Sequence, residues 1–213
     1  MNDNNDAFNR QADAFIKEYP SFHIKSISNH SYLKGILDIP DDEGKDAGAF
    51  AIEIHPSKDF PYAFPILFEV GGDIPCESDW HKYSDNSCCL TVPAKERLIC
   101  KNGITLIWFV KNIVIPYFAN QLYKKQTGTY LQEYSHGRDG IWEFYEELFR
   151  SQDMNVWRLC LQGAFGNLKH ERNGKCYCNS GEKYKKCHLP IEEDVRKIGE
   201  KQIITDLKIM YLI

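Results

Sequence analysis

The chain has 213 residues, of which 43% are hydrophobic and 26% charged, and its formal net charge is −4 at pH 7. This length suits one medium domain with a smaller appended element, and the hydrophobic content is sufficient for a real core. A weakly acidic chain has no overall attraction to nucleic acids or anionic membranes, so charge favours neither class of partner.

The N-terminal stretch MNDNNDAFNR is polar and acidic, unlike a secretory signal peptide. No apolar run of the sequence approaches the roughly 18–20 residues needed to span a bilayer. Eight cysteines in such a chain indicate a reducing compartment, where thiols serve metal binding or catalysis more often than disulfides. We therefore expect a cytoplasmic protein.

The first half of the chain has the pattern of one helix followed by strands. Apolar residues at helical spacing predict an amphipathic helix over residues 5–18, and Pro20 ends it. Strand-like runs follow at residues 22–28, 32–39, 48–55 and 65–70. The order predicts an α+β fold with an N-terminal helix and a four-stranded antiparallel meander.

The second half has the pattern of helices. Residues 103–124 predict a buried helix that Pro116 would kink, and a second helix is expected from Asp139, as N-cap, to Arg150. Residues 155–165 predict a short helix, and residues 191–213 an amphipathic C-terminal helix.

A thiol follows the fourth predicted strand. Phe60-Pro61 precedes that strand and Pro65 opens it, and a polar loop then leads to Cys89-Leu90. This arrangement resembles ubiquitin-conjugating enzymes, in which a Tyr-Pro-x-x-Pro element, a strand and a loop precede the thioester cysteine and a leucine. Phe60 stands for the tyrosine. The resemblance implies a ubiquitin-conjugating-like fold with Cys89 as the nucleophile, which must be accessible and sufficiently ionised.

The surroundings of Cys89 leave alternatives open. Cys88 is a rival nucleophile, although the family has an inward-packing apolar residue at that position. The family's His-Pro-Asn element is missing, and His81 lies where its asparagine is expected, eight residues before Cys89. An imidazole there can donate to an oxyanion or carry a proton from an incoming amine, or His81 is only a loop residue. Asn86 is a weaker substitute for the missing asparagine.

The run SHGRDGIWEFYEEL, which begins at Ser135, is similar to bacterial ubiquitin-conjugating-like proteins of antiphage defence operons of the CBASS type. That resemblance implies a cGAS-like nucleotidyltransferase or a ubiquitin-like protein as acyl donor. Since the sequence has no glycine-rich nucleotide-binding loop, another protein, such as a separate activating enzyme, has to activate the acyl group. His136 is a candidate to approach the thiol; alternatively it only caps a helix.

Four ligand-type residues occur within thirteen positions near the C-terminus: Cys176, Cys178, Cys187 and His188. Three thiolates and one imidazole form the closed tetrahedral shell that structural Zn²⁺ prefers. A segment of this length cannot fold without such a staple. The spacing C-x-C-x8-C-H and its flanks resemble the SEC-C motif, which implies a structural zinc knuckle.

The knuckle, residues 169–190, contains six Lys/Arg and two acids. Its lysines can contact a protein, contact nucleic acid phosphates or simply face solvent; the scarcity of interleaved aromatics favours protein contact.

The sequence thus predicts a ubiquitin-conjugating-like domain over residues 1–155, a connecting segment over 156–168, the zinc knuckle over 169–190 and a C-terminal helix over 191–213. The expected activity is transfer of an activated C-terminal acyl group through a cysteine thioester to an amine. The alternatives are a non-catalytic ubiquitin-conjugating-like adaptor for such a partner and a nucleic-acid adaptor built on the knuckle.

Overall fold

The computed structural model describes residues 3–27, 30–41, 43–131, 134–166 and 168–213. The α-helices are α1 (Asp3–Glu18), α2 (Pro93–Cys100), α3 (Leu106–Phe109), α4 (Ile115–Thr127), α5 (Gly137–Phe149), α6 (Met154–Phe165), α7 (His188–Ile198) and α8 (Glu200–Ile209). The strands are β1 (His23–Ile27), β2 (His30–Pro40), β3 (Asp46–His55) and β4 (Ile66–Glu69). Short 3-10 turns occur at Ser78–Trp80 and Tyr184–Lys186, and a π turn at Val110–Val114.

The chain forms two compact units. Unit 1 contains residues 1–90 and 99–133, and unit 2 contains residues 91–98 and 134–213. Helices α5 and α6 belong to unit 2 because Phe144 and Trp157 share a core with Val195 of α7. This division differs from the boundary expected at residue 155, because packing between distant helices, rather than the order of elements, decides it.

Unit 1 has the predicted mixed α+β architecture. Within the described residues, four strands form one antiparallel sheet in the order β1-β2-β3-β4. Leu33 pairs with Ile54, which in turn pairs with Leu67, so the three side chains line one face of the sheet and are buried there. The predicted meander and its order are confirmed.

Helix α1 covers the buried face of this sheet. Its apolar residues Phe8, Ala12 and Phe15 recur at helical spacing and are at most 2% exposed. At Gly35 of β2 a Cβ atom would lie only 2.7 Å from Cα of Phe22, so the chain approaches the strand at a point where any side chain would collide with it.

The helical run after the loop differs in detail from the helix predicted over residues 103–124. Thr105 caps α3 by accepting a hydrogen bond from the Trp108 amide at 3.1 Å. The π turn follows, and α4 then begins with Pro116 in its first turn. Proline lacks an amide hydrogen and therefore cannot continue an α-helical ladder, so the irregularity expected at Pro116 coincides with the end of a π turn.

Unit 2 is helical, and two predictions for it were wrong. The residue that caps α5 is His136, so Asp139 lies in the first turn and not at the N-cap. The C-terminal segment predicted as a single helix is two helices, α7 and α8, because Gly199 between them has φ of +90°, outside helical geometry. Across the described parts of both units, no helix is long and apolar enough to cross a membrane.

Candidate functional site

The backbone around Cys89 is held to the edge of the sheet. Ser87 forms a β-bridge with Phe68, and the Cys88 amide donates to the Leu67 carbonyl at 2.8 Å. One residue further, the Cys89 amide donates to the carbonyl of His81 at 2.7 Å. Ser87 and Cys88 therefore extend the sheet beside β4, and Cys89, the next residue, lies beside His81.

The two adjacent thiols differ in environment. Cys88 is 7% exposed and belongs to the core of unit 1, and its burial raises the pKa of the thiol to about 11. Cys89 is partly exposed. Since a thiol must be accessible and ionised to act as a nucleophile, this contrast favours Cys89 and matches the inward position expected for Cys88. The nucleophilic role of Cys89 stays a prediction.

His81 contacts Cys89 through its backbone. It follows the 3-10 turn Ser78–Trp80 with a left-handed φ of +49°, and its carbonyl accepts the Cys89 amide. Its side chain is buried, with its ring edge-on to that of Tyr130 at 5.0 Å between centroids. The structure thus brings the predicted pair together, while a role of the imidazole in proton transfer stays a prediction. Asn86 is exposed with φ of +70°, and its amide closes a turn onto the Tyr83 carbonyl.

A buried ion pair, which the sequence analysis missed, anchors the same loop. The Lys82 ammonium lies 3.2 Å from a Glu69 carboxylate oxygen, and the two side chains are 2% and 0% exposed. The carboxylate also accepts the amides of Asp73 and Ile74, at 3.2 and 3.4 Å. No local signal indicated this pair, because Lys82 stands in a polar run and Glu69 at the end of a strand.

His136 is part of unit 2, as the N-cap of α5 with an extended backbone. A helix cap is the alternative that the sequence analysis left open for this residue. The proposed approach of His136 to Cys89 stays a prediction.

A second constellation lies in unit 2 and consists of the four predicted metal ligands. The ligand atoms of Cys176, Cys178, Cys187 and His188 all lie within 4.8 Å of one another. The Sγ atoms of Cys178 and Cys187 are 3.5 Å apart, and Nδ1 of His188 lies 3.3 Å from Sγ of Cys176. A tetrahedral Zn²⁺ with bonds of about 2.3 Å to sulfur and about 2.0 Å to nitrogen needs ligand separations of roughly 3.5–3.8 Å. The cluster therefore fits a small tetrahedral cation.

Short backbone pairings bring these ligands together. The Cys176 amide donates to the Glu182 carbonyl at 2.8 Å, and the Tyr184 amide to the Gly174 carbonyl at 2.9 Å. These bonds close a hairpin that carries Cys176 and Cys178, while Cys187 and His188 stand at the start of α7. Ligands from a turn and a helix start converge in this way without a large core.

A hydrogen bond to the second ring nitrogen fixes the orientation of His188. Its Nε2 lies 3.1 Å from the Phe149 carbonyl and is the nitrogen that donates there, which leaves the Nδ1 lone pair directed at the sulfur atoms. Burial lowers the pKa of His188, which favours the neutral imidazole that a metal requires.

Glu192, one turn after His188, ties the hairpin to the helices. Its carboxylate is fully buried and accepts hydrogen bonds from the hydroxyls of Tyr177 and Tyr184, at 3.1 and 2.6 Å. The carboxylate lies against Gly163 of α6, where a Cβ atom would come within 2.4 Å of it. The hairpin that carries two of the predicted ligands is thus tied to α6 and α7.

Comparison with known proteins identifies this segment. Residues 172–190 match the SEC-C motif. The match includes all four ligands of the cluster, and the SEC-C motif is a zinc-binding motif, so the Cys/His cluster is a plausible metal site of that type. The match includes none of residues 1–171. Neither the curated proteins nor the solved structures include a match to the chain.

Proposed function

We propose that unit 1 is a ubiquitin-conjugating-like thioester transferase with Cys89 as its nucleophile. The observation that carries the proposal is the placement of Cys89: a partly exposed thiol whose amide is bonded to the preceding loop, next to a segment paired with the last strand of a helix-plus-meander domain. The order of helix, four antiparallel strands and cysteine loop agrees with the order in ubiquitin-conjugating enzymes, which the motif from Phe60 to Leu90 resembles.

The chemistry consists of two acyl transfers. In the first, the Cys89 thiolate forms a C–S bond with the acyl carbon of an activated C-terminus, and a partner's thiolate or AMP leaves. In the second, an amine forms a C–N bond with the same carbon, loses its proton to a base and releases the Cys89 thiolate. His81 and His136 are the candidates for that base or for stabilising the oxyanion.

The donor follows from the resemblance. The acyl group belongs to the C-terminus of a ubiquitin-like protein or of a cGAS-like nucleotidyltransferase, activated by a separate enzyme, in a bacterial antiphage defence system. The test is intact-mass measurement of the chain co-expressed with such partners, with and without reductant. We expect a covalent adduct that reductant removes, lost in Cys89→Ala and retained in Cys88→Ala. An adduct that persists in Cys89→Ala and vanishes in Cys88→Ala would overturn the choice of nucleophile.

We also propose that the SEC-C motif binds one structural Zn²⁺. Cys176, Cys178, Cys187 and His188 would hold it, and the ion would join the hairpin to α7. Four protein ligands leave no open coordination position, so the site is suited to folding rather than hydrolysis. The test is metal analysis of protein purified without added metal; one equivalent of zinc is expected, and metal-free protein with a folded hairpin would contradict the proposal.

One observation favours an alternative, a non-catalytic adaptor of the same fold. The His81 ring is buried and lies edge-on against Tyr130, a position typical of a structural side chain. A stoichiometric complex with the donor in which Cys89 stays unmodified would establish that alternative.

A further inference from the structure

Three consecutive carbonyl groups before Cys89 accept hydrogen bonds from side chains. The Asp79 carbonyl accepts from the Lys124 ammonium, and the Trp80 carbonyl from the Gln121 amide at 3.2 Å. The His81 carbonyl accepts from the Tyr117 hydroxyl at 3.1 Å, in addition to the Cys89 amide at 2.7 Å. These are the carbonyls at the end of a short 3-10 turn, where no backbone donor of the turn remains to satisfy them.

The donors share one face of α4. Tyr117, Gln121 and Lys124 are separated by four and three residues, the spacing that aligns side chains along one side of a helix. All three are buried or nearly so, at 6%, 0% and 9% exposure. One helix face therefore presents three polar groups in register with three successive carbonyls. Side chains that only filled the core would not need this arrangement.

Tyr117 has the central place in this contact. Its hydroxyl binds the carbonyl of His81 and also contacts the Cys88 thiol. The hydroxyl therefore contacts Cys88, which precedes the Cys89 amide in the chain, and His81, which accepts the hydrogen bond of that amide. A change confined to the hydroxyl would release both without altering the aromatic packing.

Lys124 and Tyr130 close the contact from the other end. The Lys124 ammonium lies 4.7 Å from the centre of the Trp80 ring and 4.3 Å from that of Tyr130. The Tyr130 hydroxyl donates to the Asp79 carbonyl at 3.3 Å and its ring contacts His81. His81 has a positive φ that residues other than glycine seldom adopt, and such a conformation persists where its surroundings impose it.

We infer that Tyr117, Gln121 and Lys124 are positioning residues for Cys89, which hold the carbonyls of residues 79–81 so that the last of them fixes the Cys89 amide. The effect on acyl transfer rests on the function proposed above for unit 1. The effect on the Cys89 backbone is independent of that function.

The test compares two identical chemical changes on one helix, in the full chain. Tyr117→Phe removes the hydroxyl that binds His81. Tyr123→Phe is the matched control, because Tyr123 is 37% exposed and its hydroxyl has no hydrogen-bond partner among the described residues. The first readout is hydrogen exchange of the Cys89 amide, resolved by NMR, and the second is the yield of thioester adduct.

We expect Tyr117→Phe to raise the exchange rate of the Cys89 amide about five-fold, as the loss of one hydrogen bond implies, and to lower adduct yield. Tyr123→Phe should change neither. Lys124→Met should likewise speed exchange at Cys89, against Lys125→Met as its control.

An unchanged Cys89 exchange rate in both Tyr117→Phe and Lys124→Met would overturn the inference. If exchange at Cys89 rises as expected while the unaltered protein forms no adduct with any donor, the positioning role stands and the proposed transferase activity fails. The two conclusions are thus separately decided.

Discussion

The buried pair of Lys82 and Glu69 is the feature of the Cys89 loop whose removal should have the largest effect. Both side chains are almost fully excluded from water, and the ammonium also donates to the Ile74 carbonyl at 3.4 Å. Lys82→Met keeps the length of the side chain but leaves the buried Glu69 carboxylate with two donors among the described residues, the backbone amides of Asp73 and Ile74. Removing one partner of such a pair costs about 3–5 kcal/mol. For a unit of this size, that cost lowers the melting temperature by roughly 10–20 °C.

The assay is differential scanning calorimetry of the full chain together with alkylation of Cys89 by iodoacetamide. Because Lys82 and Glu69 hold both ends of the loop, Lys82→Met should lower the melting temperature of unit 1 and speed alkylation. Lys34→Met is the matched control, since Lys34 also pairs with a glutamate, Glu53 at 2.9 Å, but its side chain is 47% exposed. We expect a much smaller change there, because solvent screens exposed pairs.

A second variant separates charge from packing. Adding Glu69→Gln to Lys82→Met removes the stranded charge. The single amide oxygen of glutamine can still accept from one of the two backbone amides, that of Asp73 or of Ile74, so part of the lost stability should return. If Lys82→Met unfolds within a degree or two of Lys34→Met, or if the double variant is less stable than Lys82→Met alone, the assigned role of the ion pair is refuted.

Three further predictions concern packing and unit 2. Gly35→Ala should destabilise unit 1 by a few kcal/mol in denaturant unfolding, because the new Cβ meets the Phe22 backbone; an unchanged midpoint would contradict this. Cys187→Ser should release the metal and unfold the SEC-C hairpin, seen by metal analysis and NMR, while the spectrum of the unit 1 sheet is retained; loss of both would show that they fold together. Burial raises the pKa of Asp206 above 3.8, so the stability associated with its protonated form falls as pH rises through the raised pKa. Asp206→Asn should therefore gain stability relative to the unaltered protein as pH rises above about 4, the usual pKa of an aspartate, and a pH-independent difference would rule this out.

The candidate metal site was the part of the molecule that could be predicted best from the sequence. Thiolates and imidazoles act as ligands whatever surrounds them, so their identity and spacing were enough to name Cys176, Cys178, Cys187 and His188, which the structure brings within 4.8 Å. The residues that hold these ligands in place could not be predicted from the sequence. Glu192 reads as an ordinary charged residue of an amphipathic helix, and only the packing against Gly163 and two tyrosines shows that it is buried.

The strands and most helices were likewise predicted from periodicity, because alternation and helical spacing are local properties of the chain. Gly199 shows the limit of prediction from local patterns. A single glycine is tolerated inside many helices, and only its φ of +90° reveals that it separates α7 from α8. Helix α2 was missed, since a segment of eight residues is too short to establish a helical period.

The sequence by itself determined the mixed α+β composition, the order of the strands, the candidate metal ligands and the choice of Cys89 as the candidate thiol, since each depends on residue type and spacing. Tertiary structure alone decided that α5 and α6 join the second unit, that Cys88 is buried while Cys89 is partly exposed, and that His81 meets Cys89 through its carbonyl. These features depend on which surfaces exclude water together and on hydrogen bonds between residues as distant as Tyr117 and His81, and no local pattern of residues records them.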